Sequence, residues 1–292
     1  MATDQGPVVN SAQLRGELVR LRREGGLTQQ QVARDLEWST SKLIRVEGGH
    51  SAITMVDLDA LLTRYGVSSE SQRDRLQALN RGAKEPAWWD SYRGIYPTYL
   101  NYVGFEAGAA FIRQLQIGSI PGLLQTAEYA RAVTLIGSVD PEDEDSIASV
   151  VGLRLQRQAE LARRQVPPHQ YFAIDEGVIR RHVAVKTDRA IMPDQLRHIA
   201  DKAERDKRVT VRIIPFGAGE HPGLFGPFTL LEFDSGLPDV LYLDTGRSAG
   251  NMITGDDPLV AEYADDFEEL LEGALSADES IELIRSVADE MS

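Results

Sequence analysis

Apolar residues recur at intervals of three and four through the first third of the chain. Leu14, Leu18 and Leu21 line one side of a helix over about 13–24, and Val32, Ala33 and Leu36 line a second. Leu43 and Val46 mark a third helix. Met55, Leu58, Leu61 and Leu62 mark a fourth over about 54–65, and Leu76 and Leu79 a fifth over about 69–82. The starts and stops agree with this spacing. Thr28, Ser39 and Thr54 are good N-caps, Gln31 can complete a capping box with Thr28, and Gly25-Gly26 and Gly48-Gly49 supply helix stops. Residues 1–12 carry no such pattern and are expected to form a flexible arm.

Beyond Arg81-Gly82-Ala83-Lys84-Glu85-Pro86 the pattern changes. That stretch predicts a joint, with domain bounds of 13–82, 83–87 for the joint itself, and 88–292. AAFIRQLQIGSIPGLLQTAEYARAV predicts helix, turn and helix broken at Ile120-Pro121-Gly122, followed by an acidic turn over 140–145 and a helix over 147–165. YFAIDEGVI, VTVRIIPF, FGPFTLLEF and DVLYLDT are short runs rich in β-branched and aromatic residues, and they predict strands. A helix over about 193–206 lies between the first two, and residues 257–291 predict a closing helix. The fold class is α+β: an all-α, five-helix first domain followed by a mixed α/β second domain.

The second and third helices, with the tight corner between them, form a helix-turn-helix. The third buries Leu43 and Val46 and turns Thr40, Ser41, Lys42, Ile44 and Arg45 outward, so short polar and basic side chains lead from its first turn. That is the form of a helix that enters a major groove. Glu37 stands at the corner, where a non-glycine residue is expected in a left-handed conformation at a cost of about 1 kcal/mol.

Charge qualifies this picture. The net charge is −14, a value that runs against duplex binding until it is located. Residues 1–82 hold 11 Lys+Arg against 10 Asp+Glu, and residues 83–292 hold 20 against 35. Within 13–45 there are seven basic residues and four acidic ones. Phosphate attraction is therefore modest and salt-sensitive, so tight binding calls for two reading heads, as in a homodimer, or for very good base contacts. The acid of 83–292 favours a basic protein partner over an anionic metabolite, with residues 140–145 and 265–272 as candidate faces. Cysteine is absent, which excludes disulfides and thiolate sites. With no basic leader and no window near eighteen uninterrupted apolar residues, a cytoplasmic protein without a membrane partner is expected.

The LTQ, VA, Ser-x-Ser and RVEGG elements stand in the order and spacing of the phage-repressor-like (XRE) family, and over roughly 13–82 the chain resembles it. The resemblance implies that Thr40, Ser41 and Arg45 face base edges, that Gln29 meets a phosphate, and that Arg22 and Glu47 form a structural ion pair. The DNA-contacting set is then Gln29, Ser39, Thr40, Ser41, Lys42, Ile44 and Arg45. WWDSYR, IPGLLQTAEYARA, AIDEGVIRR, VRIIPF and HPGLFGPFTLLEF resemble a DUF5753-type domain that follows such modules in filamentous actinobacterial regulators. This implies a regulatory or antitoxin-like role, with a small protein encoded nearby as a possible partner.

Candidate chemistry in the second domain is sparse. Trp88, Trp89 and Tyr92 begin an aromatic stretch that could cage a ligand or couple the two domains, although packing explains it more simply. Asp175, Glu176 and Arg180 sit at a strand end, where crevices open, but a network of ion pairs accounts for them as well. His221 has no second histidine at metal spacing, and Gly217 and Gly219 lack the rest of a phosphate-binding fingerprint. We expect no enzyme activity, metal or cofactor. The function expected is a sequence-specific regulator bound to double-stranded DNA with a ligand- or partner-sensing second domain, and the alternative is an antitoxin-like interaction protein that autoregulates.

Overall fold

The computed structural model describes residues 5–92, 95–138, 140–244, 250–255 and 257–292. It divides into two compact units, Met1–Trp88 with Ser235–Leu237, and Trp89–Asp234 with Pro238–Ser292. The boundary falls within a 3-10 turn at Trp88–Ser91, just past the joint expected at 83–87.

The first unit holds α1 (Gly6–Glu24), α2 (Gln29–Asp35), α3 (Thr40–Glu47), α4 (Met55–Arg64) and α5 (Glu70–Gly82). Each of the last four is started by a side chain. Thr28 forms a capping box with Gln31, and Ser39, Thr54 and Ser69 accept from the amides of Lys42, Asp57 and Gln72. Leu14, Leu18, Val32, Leu43, Val46, Leu58, Leu61, Leu62 and Leu76 meet in one core. The arm expected over 1–12 is mostly helix: α1 begins at Gly6, with Pro7 in its first turn and Val9 and Ala12 buried. Residues 1–4 of that arm lie outside the described residues. At the corner Glu37 has φ 55°, and the Trp38 amide donates to the Ala33 carbonyl at 2.8 Å. The Glu37 backbone therefore sits in the left-handed region that glycine would occupy without strain.

The second unit is built on a six-stranded mixed sheet of order β3-β2-β1-β4-β5-β6. The strands are β1 (Phe111–Gln116), β2 (His169–Asp175), β3 (Val209–Ile214), β4 (Phe228–Glu232), β5 (Val240–Leu243) and β6 (Asn251–Thr254). β1, β2 and β3 run parallel, whereas β4 pairs antiparallel with β1 and the remaining strands continue antiparallel. The helices are α6 (Pro97–Glu106), α7 (Ala127–Gly137), α8 (Glu144–Arg163), the short α9 (Glu176–Arg180), α10 (Ile191–Arg205), α11 (Pro258–Gly273) and α12 (Ala277–Glu290).

Three expectations are corrected here. Residues 111–116, expected in a helix, form the central strand β1. Glu176–Arg180, expected to extend a strand, is helix α9, which starts where the Asp175 carboxylate accepts the Gly177 amide at 2.7 Å. The single closing helix is two, because Ser276 and Glu279 form a capping box that restarts the chain as α12. α11 buries Val260, Phe267 and Leu270 against Leu115, Ala173, Ile214, Phe228 and Leu230 of the sheet. Its last turn is satisfied by Arg212 of β3, which donates to the carbonyls of Leu271, Ala274 and Leu275.

Candidate nucleic-acid interface

Burial fixes which way α3 faces. Leu43 and Val46 are inside the core, while Ser39, Ser41, Ile44 and Arg45 are exposed and Thr40 and Lys42 are half-buried. Ser41 and Arg45 are four residues apart and Ser41 and Ile44 three, so they share one outward face. The Arg45 guanidinium forms no hydrogen bond or ion pair among the described residues, so its five donors are available. Ile44, 47% exposed, adds an apolar surface of the kind that meets a thymine methyl.

The far end of α3 is locked. Arg22 of α1 grips Glu47 with two parallel bonds, Nε to Oε1 at 2.7 Å and Nη2 to Oε2 at 2.9 Å, and its remaining nitrogen donates to the Leu27 carbonyl at 2.9 Å. The Gln29 amide donates to Glu47 Oε2 at 2.8 Å. One carboxylate thus joins α1, the start of α2 and the end of α3. Immediately after α3, Gly49 has φ 77°, and the Arg15 side chain lies across it where a Cβ would stand 1.4 Å from a guanidinium nitrogen. Any other residue would be strained at this φ and would have to displace the Arg15 side chain. Burial lowers the pKa of that arginine.

Gln29, expected to meet a phosphate, and Lys42, expected among the DNA-contacting residues, are already engaged within the fold. Gln29 is held by Glu47, leaving its carbonyl oxygen free. Lys42 reaches Asp57 of α4 at 2.9 Å and lies 3.8 Å from the centroid of the Trp38 ring. Neither Asp57 nor Trp38 stood out in the sequence. The available signal for Asp57 was its place three residues after the Thr54 cap, where a carboxylate favours a helix start.

The remaining candidates separate into two groups. Trp89 is buried, Trp88 is half-buried, and the Tyr92 hydroxyl donates to Gln156 of α8 at 2.7 Å. Glu176, 2.5 Å from Arg180, also accepts the Phe216 amide at 2.8 Å, while Arg180 reaches Glu290 of α12 at 3.4 Å. Burial would raise the Glu176 pKa, but the bonds from Arg180 and the Phe216 amide outweigh it and hold the carboxyl below its usual value. Asp175 lies 3.8 Å from His221 Nε2. These contacts tie α9 to its neighbours. Among the described residues no three His, Asp or Glu side chains are grouped to hold a metal ion, and no helix is long and apolar enough to cross a membrane.

Comparison with known families agrees with both units. A family model described as a helix-turn-helix domain matches residues 13–76, which places the first unit among the DNA-binding domains of regulators. No curated protein and no solved structure matches the chain. A second family model, described as a domain of unknown function, matches residues 99–286. That match takes in well over half of the sequence, and the chain belongs to the DUF5753 family, with a helix-turn-helix domain ahead of the segment that defines it.

Proposed function

We propose that the chain is a sequence-specific transcriptional regulator of the phage-repressor-like (XRE) type. It acts in the cytoplasm as a homodimer, reads duplex DNA through α3, and is controlled through its second domain. The observation that carries this reading is the contrast along α3. Leu43, Val46 and Glu47 are fixed in the domain, while Ser41, Ile44 and Arg45 stand free on one face. Base edges are read by such free side chains, whereas phosphate contacts set register. A single head with so modest a basic excess binds weakly, and paired heads one DNA turn apart restore affinity.

A second reading, an antitoxin-like protein that binds a small basic protein and autoregulates, is favoured by one fact: the acid is concentrated in residues 83–292. Both readings share DNA binding and a second domain that binds another molecule, a ligand or partner in the first and a small basic protein in the second. Neither assigns catalysis, and the candidate group Glu176 and Arg180 is engaged in bonds within the fold.

Selection of bound sequences from a random duplex pool tests the shared part. Arg45→Ala is expected to weaken the best site by about 1–3 kcal/mol and relax preference at one base pair. Unchanged affinity and preference would remove α3 from the groove. Light scattering that gave a monomer both free and on the selected site would remove the dimer.

A further inference from the structure

The connection from β3 to β4 carries three of the large apolar side chains most open to water: Phe216, Leu224 and Phe225, exposed by 62%, 65% and 93%. Scattered surface apolar residues need no account, but three within ten residues of one loop do. The loop is not loosely held. It forms two 3-10 turns, Phe216–Ala218 and Pro222–Phe225, and the second packs on α11. Ala218 packs into the core formed by Phe267 and Leu270 and approaches Gly273 at the end of that helix.

The base of the second turn is clamped as well. A Cβ on Gly223 would stand 2.7 Å from the Leu115 side chain and 2.8 Å from His221 Nδ1, so backbone and core are in direct contact. The His221 side chain is 10% exposed and reaches towards Asp175, while its buried Nδ1 has no partner. Gly226, at φ 131°, then turns the chain into β4. Leu224 and Phe225 are therefore presented by a fixed scaffold, which lowers the ordering cost of contact with another molecule.

The helix beneath sets the charge of whatever covers them. α11 contains no Lys or Arg. Glu268 is paired with Arg113 at 2.5 Å, but Glu262, Asp265, Asp266, Glu269 and Glu272 have no cation partner among the described residues. A second copy of this surface would set like charges against each other, and an anionic membrane would be repelled. We propose that the β3–β4 loop and the outward face of α11 together dock a basic protein segment, which places one or two large apolar side chains against Leu224 and Phe225 and its Lys or Arg residues against the α11 carboxylates. This rests on the reading of the second domain as a partner-binding module and names its surface and the chemistry of its partner.

The test uses the full chain and two dye-labelled synthetic helical peptides with the same Leu/Trp face, one flanked by Lys and Arg and the other by Glu, followed by fluorescence anisotropy. The basic peptide is expected to bind, more weakly as salt rises, and the acidic one not to bind. Phe225→Ser, Leu224→Ser and the double variant Asp265→Lys/Glu269→Lys should each weaken binding roughly tenfold. Leu224 and Phe225 lie in the loop, Asp265 and Glu269 on α11, and all four side chains are exposed, so unaltered thermal unfolding serves as the control for each. Failure of the basic peptide to bind the parent would overturn the proposal together with the partner reading. Binding that all three variants left intact would overturn the surface and leave that reading standing. A dimer of the free chain dissolved by Phe225→Ser would assign the patch to a second copy. Phe225-dependent binding to phosphatidylglycerol vesicles would assign it to a membrane. Either result would overturn the proposal.

Discussion

Arg22 and Glu47 form a two-pronged ion pair at 2.7 and 2.9 Å, with side chains only 12% and 4% exposed. The pair joins residues 25 positions apart on two helices, and it closes the C-terminal end of α3. Removing one partner leaves the other charge buried without compensation. Glu47→Ala is expected to destabilise the first unit by about 3–5 kcal/mol in urea unfolding. Adding Arg22→Ala to it should cost far less than the two single losses combined. Additive losses would mean that the residues do not act as a pair.

Lys42 gives the opposite kind of prediction. Its ammonium is held by Asp57 at 2.9 Å and by the face of Trp38, in a pair that is about one-third exposed on the lysine side. An exposed pair of this sort adds little stability, but it withholds a cation from the phosphate backbone. Asp57→Asn keeps the shape of the side chain and releases the lysine. Binding to non-specific duplex should tighten at low salt, and the log K against log salt slope should steepen by about 0.9, one further neutralised phosphate. An unchanged slope would show that Lys42 is already on the DNA in the complex.

The first unit was legible because its signals are local. Caps at Thr28, Ser39 and Thr54 and apolar residues at helical spacing specify α2 to α4 one by one. The early start of α1 was missed, since Val9 and Ala12 are the only apolar residues of that turn to reach the core, although Pro7 offered a cue. β1 was misread for a different reason. It is central, paired on both edges, and buries Ile112, Gln114, Leu115 and Gln116 in near succession. A strand covered on both faces loses the alternation by which strands are recognised, and its apolar residues at 111, 112 and 115 imitate a helix. The capping box at Ser276 was readable and would have divided the closing helix. The pairing of Lys42 with Asp57 was not readable, because side-chain partners fifteen residues apart on different helices leave no trace in periodicity.

In the second unit the most deeply buried charges are Arg157 of α8 and Glu106 of α6. They are bonded at 2.8 and 2.5 Å, with the Tyr99 hydroxyl on the arginine and the Tyr102 hydroxyl donating to the carboxylate at 2.7 Å. Burial works against the guanidinium charge, but the facing carboxylate outweighs it and keeps the arginine protonated well beyond its usual range. Arg157→Met should therefore destabilise this unit by about 3–5 kcal/mol, whereas Glu106→Leu with Arg157→Met should recover most of that loss. Denaturant midpoints for the three chains would decide it, and a double variant no better than the single would point to the tyrosines as the main support.

His198 supplies the pH dependence. It lies on α10, its Nε2 is buried without a partner, and burial lowers its pKa. Lys202 and Arg205 lower it further, while Asp201 acts in the other direction. The unfolded chain has a histidine of ordinary pKa, about 6.5, so between that value and the lower folded one the unfolded state binds more protons than the native state. Stability then rises with pH. On acidification the loss sets in as pH falls through about 6.5 and levels off once the folded group is itself protonated. The parent should lose stability between pH 7.5 and pH 5.5, and His198→Leu should lose less over the same interval, because other carboxylates and histidines titrate equally in both chains. The measured quantity is the difference between the two urea-unfolding free energies at each pH. Curves that run parallel across the interval would show that the His198 ring is protonated as easily in the native chain as in the unfolded one.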